Sequence, residues 1–302
     1  VAANASSEAD LIGQIEQADA LLVYHYLSLT ERTINQLERC RLIVRCGVGY
    51  DNIDIQAARQ RGIPVANVPD YGTEEVADSA IGLALSLTRG IMLLDRRMRE
   101  ERGAWTPTEA GALRRLRGRV FGIIGFGRIG KATALRAKAL GMDVVFYDPY
   151  VPDGTDKSLG VRRLESLDEL LSLAHIVSLH CLHSEETHEL VNRETLSKMQ
   201  AGSYLVNTAR GACVHLDDVL DALSSGHLAG VALDVLPQEP PAVDESLISA
   251  WRDSAHPASD RLIVQPHAAF YSVEGLNDMR VKACQNVRRV FEGHPARNIV
   301  NP

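Results

Sequence analysis

Short apolar runs alternate along this chain with longer segments in which apolar residues return every three to four positions, the pattern of strands interleaved with helices. Ala20-Leu21-Leu22-Val23-Tyr24, Leu42-Ile43-Val44-Arg45-Cys46 and Ile63-Pro64-Val65-Ala66-Asn67 read as three early strands, with Thr30 to Arg39 as a helix between the first two. From Glu74 to Glu101 the positions Val76, Ala80, Leu83, Leu87, Ile91, Leu94 and Met98 keep helical spacing without a proline, which predicts one helix roughly 40 Å long. Val120-Phe121-Gly122-Ile123-Ile124, Val144-Val145-Phe146-Tyr147, Ile176-Val177-Ser178-Leu179 and Ser203 to Val206 are further strands, apolar enough to be covered on both faces of a parallel sheet. Ile129 to Leu140 and Val273 to Gly293 read as helices, and Pro241 to Asp260 as a surface loop.

With 302 residues the chain exceeds one ordinary core, and two domains are expected. Gly103 to Gly118 reads as the linker region, and Val120 opens the second domain. That domain begins with Gly125-Phe126-Gly127-Arg128-Ile129-Gly130 set between a strand and a helix, the context that turns a common GxGxxG pattern into a dinucleotide fingerprint. The first glycine makes the tight turn, the second lets backbone approach a pyrophosphate, and the third packs helix on strand. Asp148 closes the next strand, where an acid accepts from a ribose 2′-hydroxyl and opposes a 2′-phosphate, so NAD is expected over NADP. Arg128 has two readings, a pyrophosphate ligand or a solvated arginine at the helix start.

Composition narrows the class. A net charge of −7 with no basic stripe argues against direct nucleic-acid binding. No apolar run approaches the roughly 20 residues of a membrane span, and no signal segment is visible. Five cysteines without CxxC spacing suit reduced thiols in the cytoplasm and give no zinc site; His180-Cys181-Leu182-His183 reads as an ordinary strand end. The chain starts at Val1 without an initiator Met, which suggests trimming and leaves room for an earlier strand.

Three stretches near the C-terminal end carry chemistry: Asn207-Thr208-Ala209-Arg210-Gly211, Leu233-Asp234-Val235 running on to Glu239-Pro240, and Pro266-His267-Ala268-Ala269. An arginine, an acid and a histidine downstream of a dinucleotide loop are what hydride transfer to a 2-keto acid needs: a fork-shaped cation for the carboxylate and carbonyl, an imidazole to move the proton, and a carboxylate to hold the imidazole. Phe270, three residues past the histidine, is expected to wall the substrate's 2-substituent or else to pack between domains.

These motifs, together with Arg45-Cys46-Gly47-Val48-Gly49-Tyr50-Asp51-Asn52-Ile53-Asp54, resemble the D-isomer-specific 2-hydroxyacid dehydrogenase family over essentially the whole length. Phe146 to Tyr150, Glu75 to Ser79 and Phe270-Tyr271-Ser272 are most similar to its C-terminal binding protein branch, some members of which are NAD-sensing corepressors. The resemblance implies an α/β fold of two Rossmann-like domains with parallel sheets joined by long crossing helices. One is a flavodoxin-like substrate domain from residues 1–100 and 270–302; the other is an NAD-binding domain from residues 101–269. It implies Arg210, Glu239 and His267 as the catalytic set. It adds Gly125, Gly127, Arg128, Ile129, Gly130, Asp148, Thr208 and Asp234 toward NAD, and Val48, Gly49 and Phe270 toward a small 2-keto or 2-hydroxy acid. Asp234 would face the nicotinamide amide, with a structural strand-end acid as the competing reading. A homodimer is implied as well. Two departures stand out: His215 replaces an Asp common after the RG pair, and Phe270 replaces the Trp of the corepressors.

Overall fold

The computed structural model describes Ala5 and Ser7–Pro302, so the start at Val1 lies outside the described residues. The chain divides into two compact units, Val1–Gly72 with Tyr271–Pro302, and Thr73–Phe270.

In the smaller unit β1 (Leu21–Val23), β2 (Ile43–Arg45) and β3 (Val65–Asn67) form a parallel sheet in the order β1-β2-β3. Every residue of β2 and β3 is buried, which is why these strands read as unbroken apolar runs. The helix expected from Thr30 to Arg39 shortens to α1 (Glu31–Ile34). Gln36 and Leu37 instead close tight turns onto Thr33 and Ile34, which brings both Ile34 and Leu37 into the core. The Asp54 carboxylate caps α2 (Ile55–Gln60) by accepting from Gln56 N and Ala57 N. The last helix of the chain, α11 (Val273–Phe291), buries Met279 and Ala283 among Leu42, Val44 and Ala66. Beyond it Asn301 accepts from Val65 N at 2.6 Å and donates to Ile63 O at 3.0 Å, binding the chain end to β3.

The larger unit holds a seven-stranded parallel sheet in the order β10-β9-β8-β7-β4-β5-β6. Its strands are β4 (Val120–Ile124), β5 (Asp143–Tyr147), β6 (Arg162–Arg163), β7 (Ile176–Leu179), β8 (Ser203–Asn207), β9 (Leu228–Leu233) and β10 (Leu262–Val264). The order reverses between β4 and β7, and ligands of such sheets sit at the carboxyl ends of the strands beside that point. Alternate residues feed two cores: Ile124, Val145, Val177 and Leu205 enter one, Phe121, Ile123, Phe146 and Val206 the other. The helices are α3 (Thr73–Thr88), α4 (Ile91–Arg99), α5 (Arg128–Ala139), α6 (Thr155–Leu159), α7 (Leu167–Leu173), α8 (Arg193–Lys198), α9 (Leu216–Ser224) and α10 (Ser246–Arg252).

Three expectations are corrected here. The single helix from Glu74 to Glu101 is two helices whose axes differ by 61°, because Gly90 adopts a left-handed conformation (φ 64°) that stops α3 and starts α4. Since α3 buries Ala80, Ile81, Leu83 and Ala84 against the larger unit's core, that unit begins at Thr73 and not at residue 101. The stretch from Pro241 to Asp260 is not a surface loop throughout. It folds into α10, capped by the Glu245 carboxylate, with Leu247 and Ile248 buried. Asp260 then accepts from Arg97 at 2.8 Å and Arg102 at 3.0 Å, tying the end of the insertion to α4 and the residues after it. Burial alone would raise the Asp260 carboxyl, but these two guanidiniums outweigh it and hold the group below its ordinary value.

Candidate active site

The glycine loop joins β4 to α5, and its three glycines are required for three different spatial reasons. Gly125 (φ 87°) turns the chain where any Cβ would lie 2.5 Å from Cys181 N at the end of the neighbouring strand. A Cβ on Gly130 would collide with the Gly125 carbonyl, so only glycine allows α5 to pack this closely on β4. A Cβ on Gly127 would meet nothing within 4 Å. That emptiness lies at the N-cap of α5, which receives no side-chain hydrogen bond, so the first N–H groups of Arg128 and Ile129 are available to an anion. Arg128 is exposed and Ile129 half-buried.

The carboxylate of Asp148 lies at the end of β5, half-buried, with Oδ2 accepting from Phe126 N at 2.7 Å and Oδ1 from Tyr150 N at 2.9 Å. The acid therefore locks the glycine loop to the next strand, while each oxygen keeps a further lone pair for a hydroxyl. Beyond β8, Thr208 Oγ1 is buried without a hydrogen-bond partner among the described residues. An anion-ready helix start, a glycine facing open space and an orphaned buried hydroxyl together fit a dinucleotide.

Glu239 and His267, two of the residues expected from the motifs, meet where the segments following β9 and β10 come together. Glu239 Oε2 lies 2.7 Å from His267 Nδ1, and its Oε1 accepts from Leu236 N at 2.9 Å, so the acid is fixed at both oxygens. The two side chains remain partly accessible, His267 at 22% and Glu239 at 32%. His267 has φ 53°, a conformation that costs a non-glycine residue about 1–3 kcal/mol. Its turn is held by Asp234, whose backbone carbonyl accepts from His267 N at 2.7 Å and whose carboxylate accepts from Ala268 N at 2.8 Å and Ala269 N at 3.1 Å. Burial pushes the Asp234 carboxyl above its usual range, partly offset by those N–H bonds. The Phe270 ring stands edge-on to the imidazole with centroids 5.9 Å apart.

Arg210 is half-buried, and its Nη1 donates to Ala209 O at 2.8 Å. The buried Asn207 side chain shapes this turn, accepting from Ala209 N at 2.9 Å and donating to Arg210 O at 2.8 Å. In the sequence Asn207 is no more than the start of its motif, although an Asn two residues before a turn is a local signal for such a clamp. His215, the departure after the RG pair, caps α9, its Nδ1 accepting from Asp218 N at 3.4 Å. Val48 and Gly49 belong to the smaller unit, where Val48 O accepts from Asn67 Nδ2 at 2.7 Å and Gly49 is buried.

His180 follows β7 and is half-buried, its Nε2 sharing a 2.9 Å hydrogen bond with Ser178 Oγ. Burial lowers its pKa to about 3, so it stays neutral. The described residues hold no cluster of three or more His, Cys, Asp or Glu able to bind a metal ion.

Comparison with known proteins agrees with this geometry. Residues 81–269 match the family model for the D-isomer specific 2-hydroxyacid dehydrogenase NAD binding domain. C-terminal-binding protein 1 of Caenorhabditis elegans is 34% identical over 283 residues, covering 92% of this chain and 38% of that protein. D-3-phosphoglycerate dehydrogenase of Methanocaldococcus jannaschii is 33% identical over 292 residues, 97% of this chain and 53% of that protein. The chain thus spans about half or less of the length of these relatives. The crystal structure of D-lactate dehydrogenase from Aquifex aeolicus, complexed with NAD and lactic acid, superimposes with a TM-score of 0.83 at 30% identity, covering 93% of this chain and 85% of that one.

Proposed function

The chain belongs to the D-isomer specific 2-hydroxyacid dehydrogenase family and carries its NAD binding domain, and from that premise we propose that it is an NAD-dependent dehydrogenase interconverting a small 2-keto acid and the D-2-hydroxy acid. The observation that carries the reading is the 2.7 Å contact between Glu239 and His267 in the same unit as the glycine loop and Arg210.

Bound NADH supplies the hydride. Arg210 stays charged at any working pH and donates in a planar fork, which suits the substrate carboxylate and carbonyl oxygen together. Glu239 accepts from Nδ1–H of His267, so Nε2 is the ring nitrogen assigned to give a proton to the carbonyl oxygen in reduction and to take it back in oxidation. Asp234 serves this step through the backbone of the His267 turn. Phe270, beside the imidazole, is assigned as an apolar wall for the 2-substituent, which favours a small or apolar side chain. Phe270→Ala should then change the ranking among 2-keto acids by tens-fold, with NADH affinity unchanged.

Oxidation of NADH against glyoxylate, hydroxypyruvate, pyruvate, phenylpyruvate and longer 2-keto acids tests the proposal. Turnover with one of them that collapses in Arg210→Gln supports it, and a blank panel with intact NADH binding overturns it. The blank result is what a second reading expects, an NAD-sensing binding protein of the C-terminal-binding protein kind, which the identity to the Caenorhabditis protein favours.

A homodimer is the assembly we infer. No residue of α4 is buried in this chain, and Ile91 and Met92 stand 54% and 42% exposed on it. Light scattering at micromolar concentration should report twice the chain mass.

A further inference from the structure

The dinucleotide loop lies between two segments that reach toward each other. In the sheet order β7-β4-β5 all three strands are parallel, so the residues following β5 and those following β7 emerge on either side of the end of β4, where the glycine loop begins. Tyr150 lies on the β5 side and Glu186 on the β7 side, and the Tyr150 hydroxyl donates to Glu186 Oε2. The bond therefore crosses the end of the strand between them.

Both ends are anchored. Tyr150 N donates to Asp148 Oδ1 at 2.9 Å, and the other oxygen of Asp148 holds Phe126 N in the glycine loop. On the β7 side, Thr187 Oγ1 accepts from Ser184 N at 2.8 Å and donates to Leu182 O at 2.6 Å, while His183 and His188 share a 3.3 Å hydrogen bond, so the turn presenting Glu186 is closed on itself. The ring of Tyr150 is 75% exposed, so its orientation comes from this bond and not from packing. The bond to Glu186, with smaller effects of nearby charges including Asp148, pushes the phenol above its ordinary pKa, and the hydroxyl remains a donor at neutral pH.

We propose that Glu186 is a second cofactor-selecting acid, held by Tyr150 across the end of β4 so that a 2′-phosphate would meet two carboxylates, Asp148 and Glu186, instead of one. The inference rests on the assignment of the glycine loop and Asp148 to the dinucleotide. An exposed carboxylate acts through screened charge, so its contribution to selectivity is modest and salt-dependent, about fivefold at low ionic strength. Tyr150 is a positioning residue that acts through Glu186.

Fluorescence titration of the full chain with NADH and with NADPH tests this. In Glu186→Gln the ratio of NADPH to NADH dissociation constants should fall about fivefold, chiefly through tighter NADPH binding, and the difference from the parent protein should shrink in 1 M salt. Tyr150→Phe should move the ratio in the same direction, and Tyr150→Phe added to Glu186→Gln should move it no further, which a purely structural tyrosine would not do. Asp148→Asn separates the two assignments, since it should lower the ratio more than either. An unchanged ratio in Glu186→Gln, with Asp148→Asn responding, overturns the role of Glu186 alone. An unchanged ratio in both overturns the placement of the ribose beside Asp148 and the inference with it.

Discussion

Each unit of this molecule carries a glycine-containing turn at the end of a central parallel strand, and the two use the space that glycine frees in opposite ways. After β2, Gly47 (φ 148°) lies against the guanidinium of Arg45, which occupies the place a Cβ would take. Arg45 is 5% exposed and donates to Cys46 O at 2.8 Å and to Asn52 Oδ1 at 3.4 Å. After β4, by contrast, Gly127 faces space with nothing within 4 Å, directly at a helix start. One turn spends its glycine on an internal side chain, the other leaves room for an external ligand. Glycine count alone does not separate the two. The element after the turn does, because only the second runs at once into a twelve-residue helix whose N–H groups need a partner.

If reaction chemistry resides in the larger unit, His267→Asn should give the largest effect. The loss of the proton donor should lower kcat by about 10²–10⁴-fold, with the NADH dissociation constant within twofold of the parent. Steady-state rates beside a binding titration measure both, and comparable rates in the variant would move the proton donor elsewhere. The next effect is Gly127→Val, which fills the open space: NADH affinity should fall by tens-fold to about 100-fold, with the melting temperature nearly unchanged. Gly47→Ala is its mirror image. Displacing the Arg45 guanidinium and straining φ should cost about 2–3 kcal/mol in urea unfolding, without weakening NADH. Were the two variants to exchange phenotypes, the contrast between the turns would be reversed.

The smallest expected effect is a pH dependence inside the larger unit. His180 has a folded pKa of about 3, below its unfolded value of about 6.5, so the unfolded chain binds the extra proton between those values. Stability from this residue is complete above pH 6.5 and declines as pH falls toward 3, amounting to about 2 kcal/mol between pH 8 and pH 5. Urea unfolding at those two pH values should show the decline, and His180→Asn should remove that part of it. His175, whose pKa burial and then Arg119 lower, leaves a smaller residue of the same sign.

Four of the seven strands of the larger sheet, β4, β5, β7 and β8, were legible in the chain as apolar runs, whereas β6, β9 and β10 were not among the expected strands. Val120–Ile124 and Ile176–Leu179 begin and end where their apolar runs do, because both sheet faces are covered and every position is selected for burial. The long periodic segment from Glu74 to Glu101 was legible as helix but not as two helices. Its apolar spacing survives the bend at Gly90, and periodicity does not report the direction of an axis. The insertion from Pro241 to Asp260 misled for the converse reason. Its prolines and charges give a loop composition, while the apolar Leu247, Ile248 and Ala250 that make α10 amount to a single turn's worth of signal. In the site, Arg210, Glu239 and His267 were visible from their motifs, whereas Asn207, Tyr150 and Glu186 were not, because each acts through a partner that the fold supplies.

What the sequence determined by itself is local: the glycine loop between strand and helix, the acid at the end of the next strand, the strands buried on two faces, and the residue types that the proposed reaction would use. These depend on spacing within a few residues, where backbone geometry leaves little choice. The pairing of Glu239 with His267, 28 positions apart, was already implied by the family motifs. Only the tertiary structure decided that Asp234 clamps the histidine turn across 34 positions and that Tyr150 meets Glu186 across 36. No pattern in the chain encodes such pairings, because a carboxylate has the same composition whether it faces water, a peptide N–H or an imidazole, and the energy that selects among them exists only once parallel strands bring their ends together.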